Sequence, residues 1–236
     1  MKPINNTILQ SIEKNQTTKN IEVAFKTNKF EEKKFWDRFA DKYDSFIDKT
    51  ANSAYHTIIE KLRYDLLKNS KVLDIGTGTG IIPFSVYNKV SCITAIDISP
   101  KMIDMAKQKL QLSKIDNINF LVQDSYNLEF PDNTFDIVIA SNIMHLLNLP
   151  ETCLKEVKRV LKNDGLFIAP TFCVGENIKT KILSVIAQSI SGFKVINKWS
   201  INEFQSFLIN NDFSVEKLIK IKNRIPLVYI TSKIKM

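Results

Sequence analysis

The stretch Val72-Leu73-Asp74-Ile75-Gly76-Thr77-Gly78-Thr79-Gly80 decides the fold. An apolar strand closes on Asp74 and Ile75, the chain turns through glycines at alternate positions, and a helix begins near 80. Glycine permits positive φ and lets a ligand approach the backbone with no Cβ in the way. The helix start adds free N–H groups and partial positive charge. The spacing is G-x-G-x-G. A dinucleotide loop, G-x-G-x-x-G, would need its last glycine at Ile81. No Gly-Lys-Ser/Thr follows, so the segment is not a phosphate loop. The spacing suits a compact amino-acid-like group, and a purely structural strand-to-helix turn is the competing reading.

Outward from this turn the chain alternates. A helix over 80–89 is followed by a strand at 91–97. Ser99-Pro100 opens a second helix, serine being a favoured N-cap and proline suiting the first helical position. Further strands are expected at 118–124, 134–141 and 166–172, with a helix at 150–162 ended by Asn163-Asp164-Gly165. Such alternation implies right-handed βαβ units and a parallel sheet. Helices are expected at 177–190 and 200–210. Two closing strands, 213–222 and 225–234, are near enough in sequence to pair antiparallel.

Before the glycine turn, residues 1–70 hold no glycine and read as a helical cap. Phe35, Phe39, Tyr43, Phe46 and Ile47 recur at helical steps within Phe30–Asp48, and Ile58, Ile59, Leu62, Leu66 and Leu67 line a second helix over 51–68. Residues 1–20 are polar. The α/β unit then runs over 71–236, with 172–200 as an inserted lid over a substrate.

The 236 residues carry a net charge of +8. Residues 1–50 hold ten Lys+Arg and eight Asp+Glu, 51–171 thirteen of each, and 172–236 ten against four, giving +2, 0 and +6. Only four of the thirty-three cations are arginine, the residue that bidentate phosphate and guanine recognition favours. The basic excess therefore reads as a solvated lysine-rich surface, and nucleic acid is disfavoured as a partner. No apolar run is long enough for a spanning helix, and the N-terminus lacks a secretory pattern, which points to the cytoplasm. Cys92, Cys153 and Cys173 form no CxxC pair, which argues against a disulfide framework or a metal site.

Asp97 ends the second strand, where a carboxylate can accept from both hydroxyls of a ribose. Asp124 ends the third and can read an exocyclic amine or cap the following turn. His145, after the fourth strand, is either a general base or a loop histidine without chemistry. His56 reads as a packing or surface residue. The aromatic and thiol groups of Thr171-Phe172-Cys173 and Phe193–Trp199 either wall a pocket or simply pack.

The order VLDIGTGTG, AIDIS-PKM, VQDSYNLEFPDNTFDIVIAS and EVKRVLKNDGLFIAPTF resembles the class I S-adenosylmethionine-dependent methyltransferases over about residues 71–172. FWDRFADKYDSF is similar to the N-terminal helix of small-molecule members, including the menaquinone-type C-methyltransferases. The resemblance implies a doubly wound, Rossmann-like sheet of seven mostly parallel strands with the last one antiparallel. It implies S-adenosyl-L-methionine as cofactor and a small-molecule methyl acceptor. Asp74, Gly76, Thr77, Gly78 and Gly80 would cradle the methionine part. Asp97 would hold the ribose, Ile98 and Met102 would face adenine, and Asp124 with Ser125 would read its amino edge. Ser141 would lie near the methyl group, His145 would act on the acceptor, and Tyr43 would close over the cofactor or pack between helices. An RNA methyltransferase and a non-catalytic cofactor-binding module on the same fold remain as alternatives, and a nicotinamide-dependent oxidoreductase is disfavoured by Ile81. The acceptor and the oligomeric state are not written in the sequence.

Overall fold

Lys71–Ile75 forms β1, the strand on which the sheet is centred in a computed structural model describing residues 30–182 and 194–235. β1 pairs in parallel with β2 (Cys92–Asp97) on one side and β4 (Phe135–Ile139) on the other. β3 (Ile118–Val122) extends the sheet from β2, and β5 (Leu161–Ile168) from β4, both in parallel. β8 (Leu227–Ile234) runs antiparallel to β5, to β6 (Thr171–Phe172) and to β7 (Phe213–Ile221). The order is β3-β2-β1-β4-β5-β8, with β6 continuing the line of β5 and β7 on the far side of β8. β8 alone is reversed.

The seven expected strands become eight segments because β5 and β6 are separated at Ala169-Pro170. Ala169 still donates to the Ile230 carbonyl at 2.9 Å, but Pro170 has no N–H to continue the ladder. A second difference lies at Asn163-Asp164-Gly165. These residues do not end the helix, which stops at Val160; they form a bulge inside β5. Leu161 pairs with Phe135 and Leu166 with Ile137, so β5 loops out three extra residues opposite β4. Gly165 is needed there, since a Cβ would stand 2.6 Å from the Leu161 side chain.

Alternate strand residues face opposite sides, as the two-residue period demands. On one face Leu73, Ile75, Val138 and Phe167 pack with α5 (Pro150–Val160) and α6 (Ile201–Asn210). On the other Val72, Ile93, Ile137 and Ile139 pack with α2 (Asn52–Asp65), α3 (Ile81–Val86) and α4 (Pro100–Gln111). Of the expected α2 stripe, Ile58, Leu62 and Leu66 are buried while Leu67 is exposed. Ser99 caps α4 as expected, accepting from the Met102 N–H at 3.1 Å. Ser200 and Glu203 form a capping box at the start of α6. In the inserted segment, 178–182 is helical, and Trp199 stacks on Phe207 with ring centres 4.7 Å apart. Phe193, the rest of the expected 177–190 helix and the polar residues 1–20 lie outside the described residues.

α1, helical over 30–50, is attached differently. Only Ala40 and Ile47 on it are fully buried, and Phe46 on its outer flank is exposed. An acidic row faces the core instead. Asp37 accepts from the Ser99 hydroxyl at 2.6 Å, Asp41 pairs with Lys101, and Asp44 binds both Lys109 and the Thr79 hydroxyl. Exposed ion pairs are worth about 0–1 kcal/mol each, whereas emptying a buried Phe site costs about 3–5 kcal/mol. α1 should therefore open before the sheet does. Lys109→Met is expected to speed amide hydrogen exchange in 30–50 by roughly two- to five-fold, the equivalent of about 0.5–1 kcal/mol. The urea midpoint of global unfolding should hardly move. Unchanged exchange would assign the docking to Ala40 and Ile47.

Candidate active site

At the carboxyl end of β1 the chain reverses through Gly76, Gly78 and Gly80, with φ of +69°, +56° and +87°. The turn is pinned from β2, because the Thr77 N–H donates to the Ile96 carbonyl and the Gly78 N–H to Asp97 Oδ2, both at 2.9 Å. At Gly80 a Cβ would meet Phe84 and Phe120 at 2.9 Å, so packing as well as φ demands glycine. At Gly78 it would stand 3.2 Å from the Tyr43 ring, which places α1 directly over the turn.

Beside the turn lies a cleft open to solvent. Of the residues singled out in the sequence, Tyr43, Gly76, Gly78, Asp97, Ile98, Met102, Asp124, Ser125 and Ser141 line it. Asp97 accepts from Ser99 and Gly78 N–H groups, one on each oxygen, and still faces the cleft. Asp124 caps the turn, accepting from the Tyr126 N–H at 3.0 Å, and it also lines the cleft. Asp74, Thr77 and Gly80 sit behind this wall, within the turn.

His145 is buried in a short 3-10 turn, Met144–Leu146, and does not line the cleft; Leu146 does. Its ring meets Phe172 edge-on at 6.4 Å, and its carbonyl accepts from the Ile196 and Asn197 N–H groups. Burial pushes its pKa down to about 4, so the imidazole is neutral at physiological pH. Cys173 is buried beneath β6, and His56 is exposed on α2.

The electrostatics are acidic and dry. Burial pushes the Asp74 carboxyl up to about 7, with Asp97 adding to the effect. Burial pushes Asp97 up to about 6, with its two backbone N–H partners pulling the other way. Several polar atoms around the turn are inaccessible and short of partners: Asp74 Oδ2 and Thr77 Oγ1, which have only each other, and Ser141 Oγ, which has none. Unpaired buried polar groups are rare, and each costs about 1–3 kcal/mol. Gathered at one turn, they fit a polar, partly cationic ligand.

The sequence reading missed Glu32, Trp36, Asn142 and Ile143, all on the cleft wall. Trp36 precedes Tyr43 by seven residues and Glu32 precedes it by eleven, so the helical stripe through Tyr43 carries the signal for both. Asn142 has no such signal, because its importance lies in a buried amide whose Oδ1 lacks a partner.

A glycine turn beside carboxylates at the ends of β2 and β3, at the centre of a parallel sheet, defines a nucleoside-cofactor site of the α/β class. Residues 66–211 match the profile of the methyltransferase-domain family, and the chain belongs to the class I S-adenosylmethionine-dependent methyltransferases. Among similar proteins is the ubiquinone/menaquinone biosynthesis C-methyltransferase UbiE of Haemophilus ducreyi, 31% identical over 175 residues, 69% of this chain and 67% of that one. The protein of the same name from Rickettsia prowazekii is 30% identical over 197 residues, 75% and 79% of the two chains. Among solved structures, Bacillus subtilis YcgJ superposes with a TM-score of 0.67 at 17% identity, covering 77% of this chain and 99% of that one. A SAM-dependent methyltransferase from Aquifex aeolicus gives 0.63 at 20%, covering 84% and 98%. These two share the architecture.

The pKa of His145 has a consequence for stability. The unfolded chain protonates this residue near 6.5 and the folded one only near 4. Its contribution is full above about pH 6.5 and is lost as pH falls toward 4, to a total of about 3 kcal/mol. Urea unfolding at pH 7 and pH 4.5 should show a smaller acid loss in His145→Gln than in the parent. Equal losses would mean that His145 is protonated within the fold.

Proposed function

We propose that this protein binds S-adenosyl-L-methionine in the cleft beside the glycine turn and transfers its methyl group to a small molecule. The observation that carries this reading is the set of buried, under-partnered polar groups on Asp74, Thr77 and Ser141 around a turn built of glycines. The sheet order supports one direction for the ligand. Asp97 and Asp124, at β2 and β3, would take the ribose and the adenine amine, with Ser125 beside the amine and Ile98 and Met102 against the ring. Asp74, Gly76, Thr77, Gly78, Gly80 and Ser141, at β1 and β4, would take the amino-acid end, and Tyr43 would cover it. When bound, the cofactor supplies a methyl group already activated by its sulfonium. The chain's part is then to hold both partners in line and exclude water, which can account for about 7–11 kcal/mol of a barrier.

His145 is assigned to the acceptor side. It is a neutral imidazole in the Met144–Leu146 turn with a buried, unpaired Nδ1, and its effect should fall on turnover rather than on cofactor affinity. The helical cap and the 172–200 insertion are assigned to acceptor recognition. The C-methyltransferase names of the relatives support a small acceptor. The position of the basic residues does too. Lys217, Lys220 and Lys233 belong to β7 and β8, on the edge of the sheet opposite β3, and Lys217 is paired with Asp65. Among the described residues no helix is long and apolar enough to cross a membrane.

Calorimetry with S-adenosylmethionine, S-adenosylhomocysteine and NAD tests the reading. The first two should bind and NAD should not, and Asp97→Ala should weaken binding by about 1–3 kcal/mol. Tight NAD binding would refute the assignment. Sub-micromolar binding of transfer RNA at about 150 mM salt, with methyl transfer to it, would replace the small-molecule acceptor by RNA.

The raised carboxyls add a pH signature. Free protein near pH 6.5 holds a proton on a large share of Asp74 and a smaller share of Asp97. A cationic ligand stabilises the ionised forms, so binding should release protons and weaken as pH falls below 7. Titrations in buffers of different ionisation enthalpy measure the release, which should shrink in Asp74→Asn.

A further inference from the structure

Ser141 and Asn142 follow β4 at the end of the cleft away from β2 and β3. Asn142 has a φ of +56°, a left-handed conformation that costs most residues about 1–2 kcal/mol and that asparagine tolerates better than most. The turn is clamped on both sides. The Asn142 N–H donates to the Pro170 carbonyl at 2.7 Å. Ile143 packs so closely on the glycine turn that a Cβ on Gly76 would stand 2.5 Å from its Cδ1. The side chain thus held lines the cleft, with its amide buried, its Nδ2 turned to the Tyr55 phenol and its Oδ1 without a partner. The Tyr55 hydroxyl is 3.3 Å from that of Tyr43. Backbone strain and an unspent amide oxygen meet in one residue on the cleft wall, a combination typical of functional sites.

The cleft is divided by charge. Its carboxylates, Glu32, Asp97 and Asp124, belong to α1 and to the ends of β2 and β3. At the β4 end stand the Asn142 amide, the Ser141 and Tyr43 hydroxyls, and apolar Ile143, Leu146 and Leu147. No Lys, Arg or His lines the cleft among the described residues. A carboxylate or phosphate on an acceptor would meet no cation here, and an ammonium would meet no carboxylate from the 140–147 segment itself. A neutral hydroxyl or carbonyl oxygen satisfies the amide, accepting from Nδ2 or donating to Oδ1.

We propose that the Asn142 amide holds the methyl acceptor, and that the acceptor presents an uncharged hydroxyl or carbonyl oxygen to it. The assignment rests on the reading of the cleft as a cofactor site, and it makes Asn142 a specificity-determining residue. Asparagine at a left-handed position can also serve the backbone alone, and Asn142→Gly separates the two roles, since glycine keeps the turn and removes the amide.

The experiment uses full-length protein saturated with S-adenosylhomocysteine and three probes on one ring, 1-naphthol, 1-naphthoate and 1-naphthylmethylammonium, titrated at pH 7. The expected result is naphthol binding at least about ten-fold tighter than either charged probe, the equivalent of about 1.4 kcal/mol. Asn142→Gly should lose that preference while its affinity for S-adenosylhomocysteine stays within about two-fold. Asn142→Asp, which keeps the shape and adds a charge, should turn the preference toward the ammonium. Unchanged naphthol binding in Asn142→Gly would reduce Asn142 to a turn residue and overturn the proposal. A charged probe preferred by the parent, or no probe bound, would overturn it as well. A parent that fails to bind S-adenosylhomocysteine at all defeats the cofactor reading first, and this assignment with it.

Discussion

The hydrogen bond from the Gly78 N–H to Asp97 is the constraint on which the site depends. The chain must pass from β1 into α3 within five residues, and the N–H groups exposed in that turn need acceptors. Asp97 supplies one from the neighbouring strand, and its second oxygen accepts from Ser99, the residue that caps α4. One carboxylate thereby sets the turn after β1, the end of β2 and the start of α4. Because it is buried, its charge is poorly solvated and its pKa is raised. Asp74 and Thr77, at the same turn, are left short of partners, and that makes the place both a structural junction and a candidate binding site.

Burial distributes these deficits unevenly. The β2 and β3 ends carry acids, and the β4 end carries amide and hydroxyl groups against apolar walls. Parallel pairing brings those ends to one edge of the sheet in the order β3, β2, β1, β4, so the change from charged to neutral runs along a line. A ligand with a cationic, hydroxyl-rich body and an uncharged neighbour matches that line. The histidine nearest it in sequence is excluded from water and uncharged, so the β4 end stays neutral through the ordinary pH range.

How much of this could be read beforehand follows from the range of the interactions involved. β1 and β4 were legible because apolar residues on both faces mark a buried strand, and the Ser99-Pro100 helix start because capping is local. The cleft-lining positions Asp97, Asp124 and Ser141 were legible because each lies at the end of a strand. Asn163-Asp164-Gly165 was misassigned for a physical reason. Turn residues end a helix or bulge a strand with the same chemistry, and what decides here is Leu161 pairing with Phe135, a contact far off in sequence. The break at Pro170 is local, but whether it splits a strand depends on β8, sixty residues later. Asn142 lay beyond reach because an unpaired amide oxygen is defined by every neighbour that fails to bond it. Glu32 and Trp36 were half-legible, since their stripe was visible and the cleft beneath it was not.

The attachment of α1 resolves a conflict inherent in such a site. A cofactor pocket must be dry to strengthen its electrostatics, yet open for exchange. A helix sealed by a broad apolar face would meet the first demand and fail the second, because lifting it would expose core. Here Tyr43 stands over Gly78, and the helix is held by a small apolar cluster of Ile47 with Ala51 and Tyr55 and by a polar row from Asp37, Asp41 and Asp44 to Ser99, Lys101, Lys109 and Thr79. Each of these polar partners regains water when the helix lifts, so opening costs little. The two buried clusters that flank the sheet contain no residue of α1 and stay closed when it moves. Cover and core are thus built from different interactions, and the local stability of the cover is set independently of that of the fold.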